Sequence, residues 1–423
     1  MALKEPSLCV MNFLNEVKLN YPTAISFSAG RPADQFFDLP GRLNKLDLYV
    51  AHESKRLSQT EAQLLAQLGQ YGRTNGILGS HLASMLALDE DIKVNEQDII
   101  VTTGCQEAMA LLLIGLFDPK TDVLLSADPT YIGITGLADL LGIEVQGIDC
   151  NDQGLDLDML ERSIIEIGER GKIPRAVYVI PDFNNPLGSD MPVESRRALL
   201  AIAAAHDLWV FEDNPYGMFR FDGEPAPTLM SMDTEECVIY LGTFSKTLFP
   251  SLRVGFLVSN AHISDQEGGQ VRLTEALSKV KSLTTVNTSA ITQAMIAGVL
   301  IDSEYSLRKS ISPLVDHYRK NRDTMLSELE AAFPKDDPLA EQVTWNRPHG
   351  GFFMTINLPF PFDDQTLADC AAEGVIVVPM AYFAKRPGRE RQIRLSFSSV
   401  TCEEIKEGIA KLAAFIRKRC LHK

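Results

Sequence analysis

The stretch DIIVTTGCQEAMALLLIGLF (98–117) joins two patterns at one glycine, Gly104. DIIVTTG (98–104) is a short apolar run of strand length, whereas CQEAMALLLIGLF (105–117) is long enough for a helix. The same alternation continues along the chain. Further strand-like runs are DVLLSADP (122–129), AVYVIPDF (176–183), LWVFEDNP (208–215), VIYLGTFSK (238–246) and RVGFLVS (253–259), and further helical stretches cover 131–141 and 193–207. Nearly continuous apolar strands that alternate with helices predict an α/β fold with a mostly parallel central sheet and helices on both faces.

The pattern changes after about Ser303. A long helical stretch (304–333) precedes the strand-like runs FFMTINLP (352–359), VIVVPM (375–380) and IRLSFSS (393–399), a helix near 366–373 and a final helix from Thr401. We predict three parts. They are an N-terminal arm (1–45) that packs on the small domain and active site, a large ligand-binding domain (46–302), and an interdomain helix with a smaller α+β C-terminal domain (303–423).

The composition is that of an ordinary globular protein. The chain has 423 residues, of which 45% are hydrophobic and 23% are charged, and its 40 basic and 56 acidic residues give a formal charge of −16. A protein that binds the phosphate backbone of nucleic acids needs a basic excess, which this chain lacks. Small anions can still bind in a local basic pocket. We therefore expect small-molecule substrates and no nucleic acid partner.

Cysteines, histidines and apolar runs set further limits. The seven cysteines are widely spaced without a CxxC pair, and the seven histidines show no HExxH spacing, so we predict neither a disulfide framework nor a metal site. The N-terminus lacks the apolar core of a signal peptide. The longest apolar run, around 108–117, is too short to span a bilayer. We expect a cytoplasmic protein that does not associate with membranes.

Polar residues follow the predicted strands where each strand ends, which is where open α/β sheets bind ligands. The segments are Gly104-Cys105-Gln106, Asp128-Pro129-Thr130-Tyr131, Asn184-Asn185-Pro186, Asp213-Asn214-Pro215-Tyr216 and Thr243-Phe244-Ser245-Lys246. Pyridoxal phosphate (PLP) uses such a set: a lysine for a Schiff base, a carboxylate for its ring nitrogen, donors to its phenolic oxygen, an aromatic face and a phosphate cradle. Gly104 at a helix start offers backbone N–H groups to the phosphate, and Ser245 and Arg253 could complete that cradle.

The chain resembles the fold-type I, class I/II aminotransferases, near the kynurenine/2-aminoadipate aminotransferase branch, over essentially its whole length. The motifs that carry this resemblance are QYGRTNGI (70–77), VTTGCQEAM (101–109), ADPTY (127–131), PDFNNPLG (181–188), FEDNPY (211–216), GTFSKTLFPSLRVGF (242–256) and IRLSFSS (393–399). The resemblance implies the PLP fold type I, with PLP bound in the large domain. It also implies a homodimer with shared active sites that moves an amino group between an L-amino acid and a 2-oxo acid by a ping-pong mechanism.

The resemblance implies a role for each matching position. Lys246, Asp213 and Tyr216 are the implied catalytic residues: Lys246 bonds the cofactor and shuttles a proton, Asp213 pairs with the ring nitrogen, and Tyr216 donates to the phenolic oxygen. The other implied cofactor-binding residues are Asn185 at the phenolic oxygen, Tyr131 on the ring face, Gly104, Cys105, Gln106, Ser245 and Arg253 at the phosphate, and Tyr71 reaching the phosphate from a second subunit. The implied substrate-binding residues are Arg394, which clamps the α-carboxylate, with Asn185, Gly30 and Arg31.

Two positions depart from the family pattern. Cys105 stands where the family often has serine, and a thiol is a poorer donor, so the phosphate there would depend on backbone N–H groups. The usual NPTG reads Asn185-Pro186-Leu187-Gly188, which loses a hydroxyl but keeps the amide and the turn.

Simpler interpretations stand beside these roles. Lys246 could be a surface lysine at a strand end, and Asp213 could cap a turn. Tyr131 could be ordinary core, and Arg394 could form a structural ion pair. Among functions, a PLP-dependent lyase or cyclase on the same scaffold is the alternative. A non-catalytic regulator with a DNA-binding module is a further alternative, which the resemblance disfavours because it begins by about Met11.

The N-terminal stretch bears on the substrate. MNFLNEVKLNYPTAISFSAGRPADQFFD (11–38) resembles the same region of aminotransferases from secondary metabolism that make arylglycines such as 3,5-dihydroxyphenylglycine. Tyr21, Phe36 and Phe37 would then line an aromatic pocket, or they are ordinary core. Arg31 would meet the distal carboxylate of a co-substrate such as glutamate, or it pairs on the surface.

Overall fold

The computed structural model describes residues 17, 19–151, 154–265 and 268–421. Its strands are β1 (Ile25–Ser26), β2 (Ile99–Thr102), β3 (Asp122–Asp128), β4 (Glu144–Asn151), β5 (Gly154–Leu155), β6 (Ile173–Val179), β7 (Trp209–Asp213), β8 (Val238–Thr243), β9 (Gly255–Val258), β10 (His262–Ser264), β11 (Gln270–Arg272), β12 (Thr344–Trp345), β13 (Phe353–Asn357), β14 (Val375–Ile376), β15 (Val378–Pro379) and β16 (Gln392–Ser396).

The helices alternate with these strands through most of the chain. They are α1 (Leu39–Leu43), α2 (Lys45–Leu57), α3 (Glu61–Leu68), α4 (Gly79–Asp89), α5 (Cys105–Leu116), α6 (Ile132–Leu141), α7 (Leu157–Glu169), α8 (Val193–Ala205), α9 (Leu229–Met232), α10 (Leu273–Thr284), α11 (Ala290–Asp302), α12 (Leu307–Ser310), α13 (Ser312–Ala332), α14 (Asp364–Ala372) and α15 (Cys402–Leu421). None of the helices in the described ranges combines the length and the apolar character that a membrane crossing requires.

The central sheet has eight strands in the order β2-β9-β8-β7-β6-β3-β4-β5. Its middle strands, from β4 through β3, β6 and β7 to β8, are all parallel, and antiparallel pairs occur only toward the two edges. Every residue of β2 and β3 is buried, as expected for strands covered on both faces. The predicted α/β fold with a mostly parallel central sheet is confirmed. The carboxyl ends of β3, β6, β7 and β8 meet at one edge, where loops carry the polar residues.

A smaller antiparallel sheet follows in the C-terminal part, with the order β12-β13-β16-β15. Helices α13 and α15 pack against each other beside it. The N-terminal arm joins this region because β1 pairs in parallel with β14. The arm continues along the small sheet, where Phe27 accepts a backbone hydrogen bond from Ser396 at 2.7 Å. The arm therefore lies between the small sheet and the strand ends of the large one.

Two predicted elements are divided in the structure. The predicted helix over 304–333 is instead α12 and α13, with the break at Ile311. Proline lacks an N–H group and fits the first turn of a helix, so Pro313 lies in the first turn of a new helix instead of continuing the preceding one. The predicted strand VIVVPM is two short strands, because β14 pairs with β1 whereas β15 pairs with β16.

A close helix–helix contact gives a test of this packing. A Cβ added at Gly298 in α11 would lie 1.9 Å from the carbonyl oxygen of Lys45 in α2, whereas one added at Gly136 in α6 would meet no atom within 4 Å. We expect Gly298→Ala to lower the free energy of unfolding by about 2 kcal/mol, because the two helices must separate. Gly136→Ala should raise it by up to about 1 kcal/mol through helix propensity. Urea denaturation measures both, and equal effects of the two substitutions would contradict this packing.

Candidate active site

A cavity of about 520 Å³ lies at the carboxyl ends of the central strands, between the arm, the large sheet and the small sheet. All of the predicted site residues line it except Gly104 and Tyr71. The side chains come from distant parts of the sequence, from Gly30 in the arm to Arg394 in β16. The sheet topology therefore brings the predicted residues together in one place.

Lys246 follows β8 and points into this cavity. Its Nζ donates a hydrogen bond to the carbonyl oxygen of Gly30 at 2.9 Å. Burial lowers the pKa of Lys246 to about 8; Asp213 opposes this shift, and the nearby Arg394 and Arg253 guanidiniums add to it. A substantial fraction of the amine is therefore neutral near physiological pH, as a nucleophile or base requires.

Asp213 ends β7 and is held by two neutral donors. The hydroxyl of Tyr178 donates to Oδ2 at 2.5 Å, and the thiol of Cys105 lies 3.5 Å from Oδ1. Burial raises the pKa of Asp213 to about 6, against the lowering effect of these two donors and of Lys246. The carboxylate is therefore ionised at neutral pH although it is buried, and it can hold a cationic ring N–H.

Tyr178 was not among the predicted site residues. It sits within an apolar strand, β6, where a tyrosine suggests core. In the parallel pairing Tyr178 lies opposite Phe211, two residues before Asp213. Residues two apart in a strand point to the same face, so this register places Tyr178 beside the carboxylate. The tyrosine at position 178 is evident in the sequence, but its place beside Asp213 follows only when the register of β6 on β7 is known.

The thiol of Cys105 has a partner within the site. The sequence predicts that a phosphate here depends on backbone N–H groups and not on the thiol, and the thiol is directed toward Asp213. Burial raises the pKa of this thiol well above its usual value, so it stays protonated as a weak donor. What Cys105 offers to an anion is its backbone N–H at the start of α5.

The candidate anion site surrounds the first turn of α5. Gly104 has φ +78°, and a Cβ there would lie 2.3 Å from Nη2 of Arg253, so glycine lets the guanidinium approach the helix start. The hydroxyl of Ser245 lies 3.1 Å from Oγ1 of Thr243. Backbone N–H groups at a helix start, a hydroxyl and a guanidinium form a set that can bind a phosphate.

Gln106 and Tyr131 lie side by side above this site. Nε2 of Gln106 donates to the carbonyl oxygen of Gly133 at 2.9 Å, and the hydroxyl of Tyr131 lies 3.4 Å from Oε1 of Gln106. These contacts hold Tyr131 at the cavity wall.

Arg394 is a buried cation without a carboxylate partner among the described residues. Nη1 donates to Oδ1 of Asn185 at 2.8 Å, and Nη2 donates to the carbonyl oxygen of Ser28 at 2.5 Å. Its Cζ lies 4.4 Å from the ring centroid of Phe353 and 4.7 Å from that of Phe383. Burial lowers the pKa of Arg394 to about 10, which leaves it charged at neutral pH.

Its Nε is buried and makes no hydrogen bond. A buried charge is costly unless it is paired, so a carboxylate from a ligand is the partner that this site lacks.

Tyr216 links Asn185 to the aromatic floor of the cavity. Its hydroxyl bonds with Asn185, and burial raises its pKa far above the usual value, so the phenol is a donor. Its ring contacts those of Phe352 and Phe353, with centroids 5.2 and 5.6 Å away. Asn185 therefore connects a phenol on one side with the Arg394 guanidinium on the other.

The N-terminal aromatic residues lie elsewhere. Phe36 packs on the ring of His317 at 5.2 Å, Phe37 packs on Phe249 at 5.9 Å, and Tyr21 packs on the core. None of these three described residues lines the cavity, so the predicted aromatic pocket from them is wrong and their alternative as core is correct. The aromatic walls come instead from Tyr131, Phe353 and Phe383. The sequence could not reveal this because the arm turns away after Arg31.

Two predicted residues are at or beyond the rim. Arg31 lines the cavity edge and pairs with Asp34 at 3.3 Å, with both side chains about half exposed. Tyr71 is 86% exposed and lies outside the cavity of its own chain.

The sequence model of the family Aminotransferase class I and II matches residues 49–412. The chain is similar to (S)-3,5-dihydroxyphenylglycine transaminase of Amycolatopsis orientalis, with 40% identity over 419 residues that cover 99% of this chain and 93% of the relative. It is also similar to aromatic-amino-acid aminotransferase 1 of Thermococcus litoralis, with 33% identity over 398 residues that cover 93% of this chain and 88% of that protein.

Solved structures include a similar fold over the whole chain. The kynurenine aminotransferase of Pyrococcus horikoshii, solved in complex with PMP, matches with a TM-score of 0.84 and 29% identity. The match covers 99% of this chain and 96% of that one.

The unpaired state of Arg394 can be tested through stability. We expect Arg394→Met to change the free energy of unfolding by less than about 1 kcal/mol, because the lost contacts are offset by the removal of an uncompensated buried cation. Arg196 is the matched control, since it is fully buried but paired with Asp182 at 2.8 Å. Arg196→Met should cost about 3 kcal/mol. Urea denaturation that finds the two losses equal would contradict our description of Arg394.

Proposed function

The chain belongs to the class I and II aminotransferases, and from that membership we propose how its own residues divide the reaction and which substrates it takes. The expected family, the PLP cofactor and the transfer of an amino group between an amino acid and a 2-oxo acid are confirmed by the family match and the named relatives. The residue roles rest on one arrangement: Lys246, Asp213 and an unpaired Arg394 face a single cavity.

The residues around the cavity fit PLP. Asp213 would hold the ring nitrogen, and the first turn of α5 with Ser245 and Arg253 would hold the phosphate. The other contacts would be Tyr216 and Asn185 at the phenolic oxygen, Tyr131 on the ring face, Gln106 beside it and Lys246 at the carbonyl carbon. When bound, PLP supplies the electron sink that makes the Cα–H bond of an amino acid acidic.

Substrate orientation falls to Arg394. Its guanidinium would take the α-carboxylate through the bonding capacity that the protein leaves open, and its contacts with the rings of Phe353 and Phe383 restrict its movement. A fixed carboxylate restricts how the substrate Cα can lie relative to Lys246. Asn185 supports the same guanidinium from the side.

Proton transfer falls to Lys246. Once the substrate amine has displaced it, its neutral Nζ would take the proton from the substrate Cα and pass the same proton to the cofactor carbon that carries the amino group, which leaves Nζ neutral again. Burial and the cationic neighbours favour the neutral amine, and Asp213 limits the shift. The carbonyl oxygen of Gly30 holds Nζ in place without neutralising a charge.

We propose that the enzyme moves an amino group between an aromatic or arylglycine-type amino acid and a 2-oxo acid, and that glutamate is an amino donor to the 2-oxo acid of the aromatic substrate. Two relatives named for aromatic or arylglycine substrates support the first part, as do the apolar walls formed by Ile132, Phe353 and Phe383. Arg31 supports the second part, because it lies at the cavity edge and its exposed pair with Asp34 is weak enough to exchange for a substrate carboxylate.

A homodimer with shared sites completes the proposal. Tyr71 is exposed on its own chain, and a Cβ on its neighbour Gly72 would lie 3.5 Å from Nδ2 of Asn287. Next to Asn287 the chain exposes apolar side chains, Leu283 at 88% and Val286 at 48%. An exposed apolar surface around a tyrosine fits a second copy of the chain, whose phosphate site Tyr71 would reach.

The organisation of the chain is proposed on the same basis. The arm (1–45), large PLP-binding domain (46–302) and small C-terminal region (303–423) are supported by the two separate sheets and by the β1–β14 pairing. A cytoplasmic location is supported by the thiols of Cys105, Cys150, Cys237, Cys370 and Cys402, which are free.

The role of Lys246 predicts a pH dependence. Its depressed pKa means that the neutral amine predominates above about pH 8. We expect the rate at which the PLP-free protein bonds PLP to rise with pH through a midpoint near 8, because only the neutral amine attacks the carbonyl carbon. Stopped-flow absorption measures the rate at which the bond between Lys246 and PLP forms. The Lys246→Ala variant should not form this bond. A midpoint near the ordinary lysine pKa, or bonding by Lys246→Ala, would contradict the role.

The role of Arg31 predicts a selective defect. Arg31→Ala should raise the KM for glutamate by about tenfold, the effect of losing one charged hydrogen-bonding partner, and leave the KM for an aromatic donor unchanged. Asp34→Ala is the control, since it frees Arg31 without removing it and should not raise the KM for glutamate. Steady-state kinetics with each donor decide this, and an unchanged KM for glutamate in Arg31→Ala would rule the role out.

Shared sites predict complementation between two inactive chains. Tyr71→Ala and Lys246→Ala should each bind PLP poorly or fail to bond it. In a mixed dimer one site combines the intact Lys246 of one chain with the intact Tyr71 of the other, so random mixing restores about a quarter of the sites. The test is to mix the two unfolded variants, refold them together and measure transamination. No gain over the separate variants would mean that Tyr71 serves its own chain or none.

A further inference from the structure

We propose that a buried lysine outside the cavity, Lys281, forms with Glu107 a positioning pair that shapes the turn that receives the cofactor phosphate. This inference rests on the proposed placement of that phosphate at the first turn of α5. It concerns residues that touch neither substrate nor cofactor.

Lys281 is buried, and its ammonium group has a complete set of hydrogen-bond partners. The side chain of Lys281 in α10 is completely buried, and Nζ lies 2.9 Å from Oε1 and 3.0 Å from Oε2 of Glu107. The same Nζ lies 2.9 Å from Oγ1 of Thr285 and 3.3 Å from Oγ1 of Thr288. All the donors of the ammonium therefore have partners, which is how a charged lysine can be buried.

Glu107 connects Lys281 to the turn before α5. It lies in the first turn of α5, and its Oε2 accepts the backbone N–H of Thr103 at 2.5 Å. On the other side of that residue, the carbonyl oxygen of Thr103 lies 3.5 Å from Nη2 of Arg253. Thr103 is thus held from both sides, immediately before the positive φ of Gly104.

The charge of the pair also matters. A lone carboxylate in the first turn of α5 would repel a phosphate bound at the same helix start. Lys281 cancels that charge, so Glu107 can accept the Thr103 N–H without weakening the anion site. The N–H of Thr103, the hydroxyl of Thr285 and Lys281 lower the pKa of Glu107, although burial acts in the opposite direction, so it remains a carboxylate.

Lys246 and Lys281 differ in what surrounds them. Lys246 has a carbonyl oxygen as its hydrogen-bond partner and faces the cavity, whereas Lys281 is enclosed by a carboxylate and two hydroxyls. Lys281 is therefore unavailable as a nucleophile. Lys281 and Glu107 are 174 residues apart in the sequence. Their contact therefore joins α10 to the first turn of α5, where the phosphate is proposed to bind.

The experiment compares PLP with pyridoxal, which has the same ring but no phosphate. In Glu107→Leu/Lys281→Met both charges leave together, which a fold tolerates better than the loss of one partner. The Thr103 N–H then loses its acceptor. We expect the Kd of PLP to rise about tenfold, the order of magnitude for one lost charged hydrogen bond, and the Kd of pyridoxal to stay unchanged. Absorption or fluorescence titration of the PLP-free protein measures both without reference to activity.

Asp122 and Arg175 provide the matched control. This buried carboxylate also accepts a backbone N–H, that of Asp118 at 3.1 Å, and a threonine hydroxyl, and it pairs with Arg175 at 2.8 Å. It lies at the amino end of β3, away from the cavity. Asp122→Leu/Arg175→Met should leave the Kd of both PLP and pyridoxal unchanged.

The outcomes separate this inference from the proposed function. A loss confined to PLP supports the positioning pair, and an unchanged Kd of PLP or equal losses for PLP and pyridoxal overturn it. If the leucine–methionine variant does not fold, Glu107→Gln/Lys281→Met decides, since its amide is a weaker acceptor and should give a smaller loss, about threefold, again for PLP alone. Failure of the wild-type protein to prefer PLP over pyridoxal would instead contradict the proposed phosphate site.

Discussion

The desolvation of three ionisable groups around one cavity, without a salt bridge among them, is the constraint on which this site depends. Lys246 is held by a carbonyl oxygen, Asp213 by a phenol and a thiol, and Arg394 by an amide, a carbonyl oxygen and two rings. Each arrangement orients a charge or a nucleophile but does not neutralise it. Such burial costs free energy in the empty protein, and a ligand that brings the complementary groups recovers it.

The scaffold makes this burial possible. Parallel strands that are covered on both faces deliver Asp213, Asn185 and Lys246 to one edge, and the arm and small sheet close over that edge with Gly30 and Arg394. Among the described residues, the buried cations outside the cavity are paired, Lys281 with Glu107, Arg196 with Asp182 and Arg322 with Asp222. The contrast between these paired cations and the unpaired Arg394 is what marks the site.

Much of this was predictable from local sequence. Short apolar strands ending in polar residues predicted the parallel sheet and the meeting place of Asp213, Asn185 and Lys246, because strand ends share an edge whatever the details of packing. Tyr178, by contrast, required the register of β6 on β7. Glu107 and Lys281 required a contact between distant helices, and the break before Pro313 required knowing that one proline begins a helix. Phe36 and Phe37 were misplaced because apolar side chains near a site look alike whether they face the ligand or the core.

The most direct test of the account is the visible absorption spectrum of the purified protein with PLP, before and after an aromatic L-amino acid, in wild type and in Lys246→Ala. We predict a band from PLP bonded to Lys246 that the amino acid removes and a 2-oxo acid restores, and no such band in Lys246→Ala. A wild-type protein without the band after PLP is added, or a Lys246→Ala variant that shows it, would contradict the assignment of Lys246 and the site built around it.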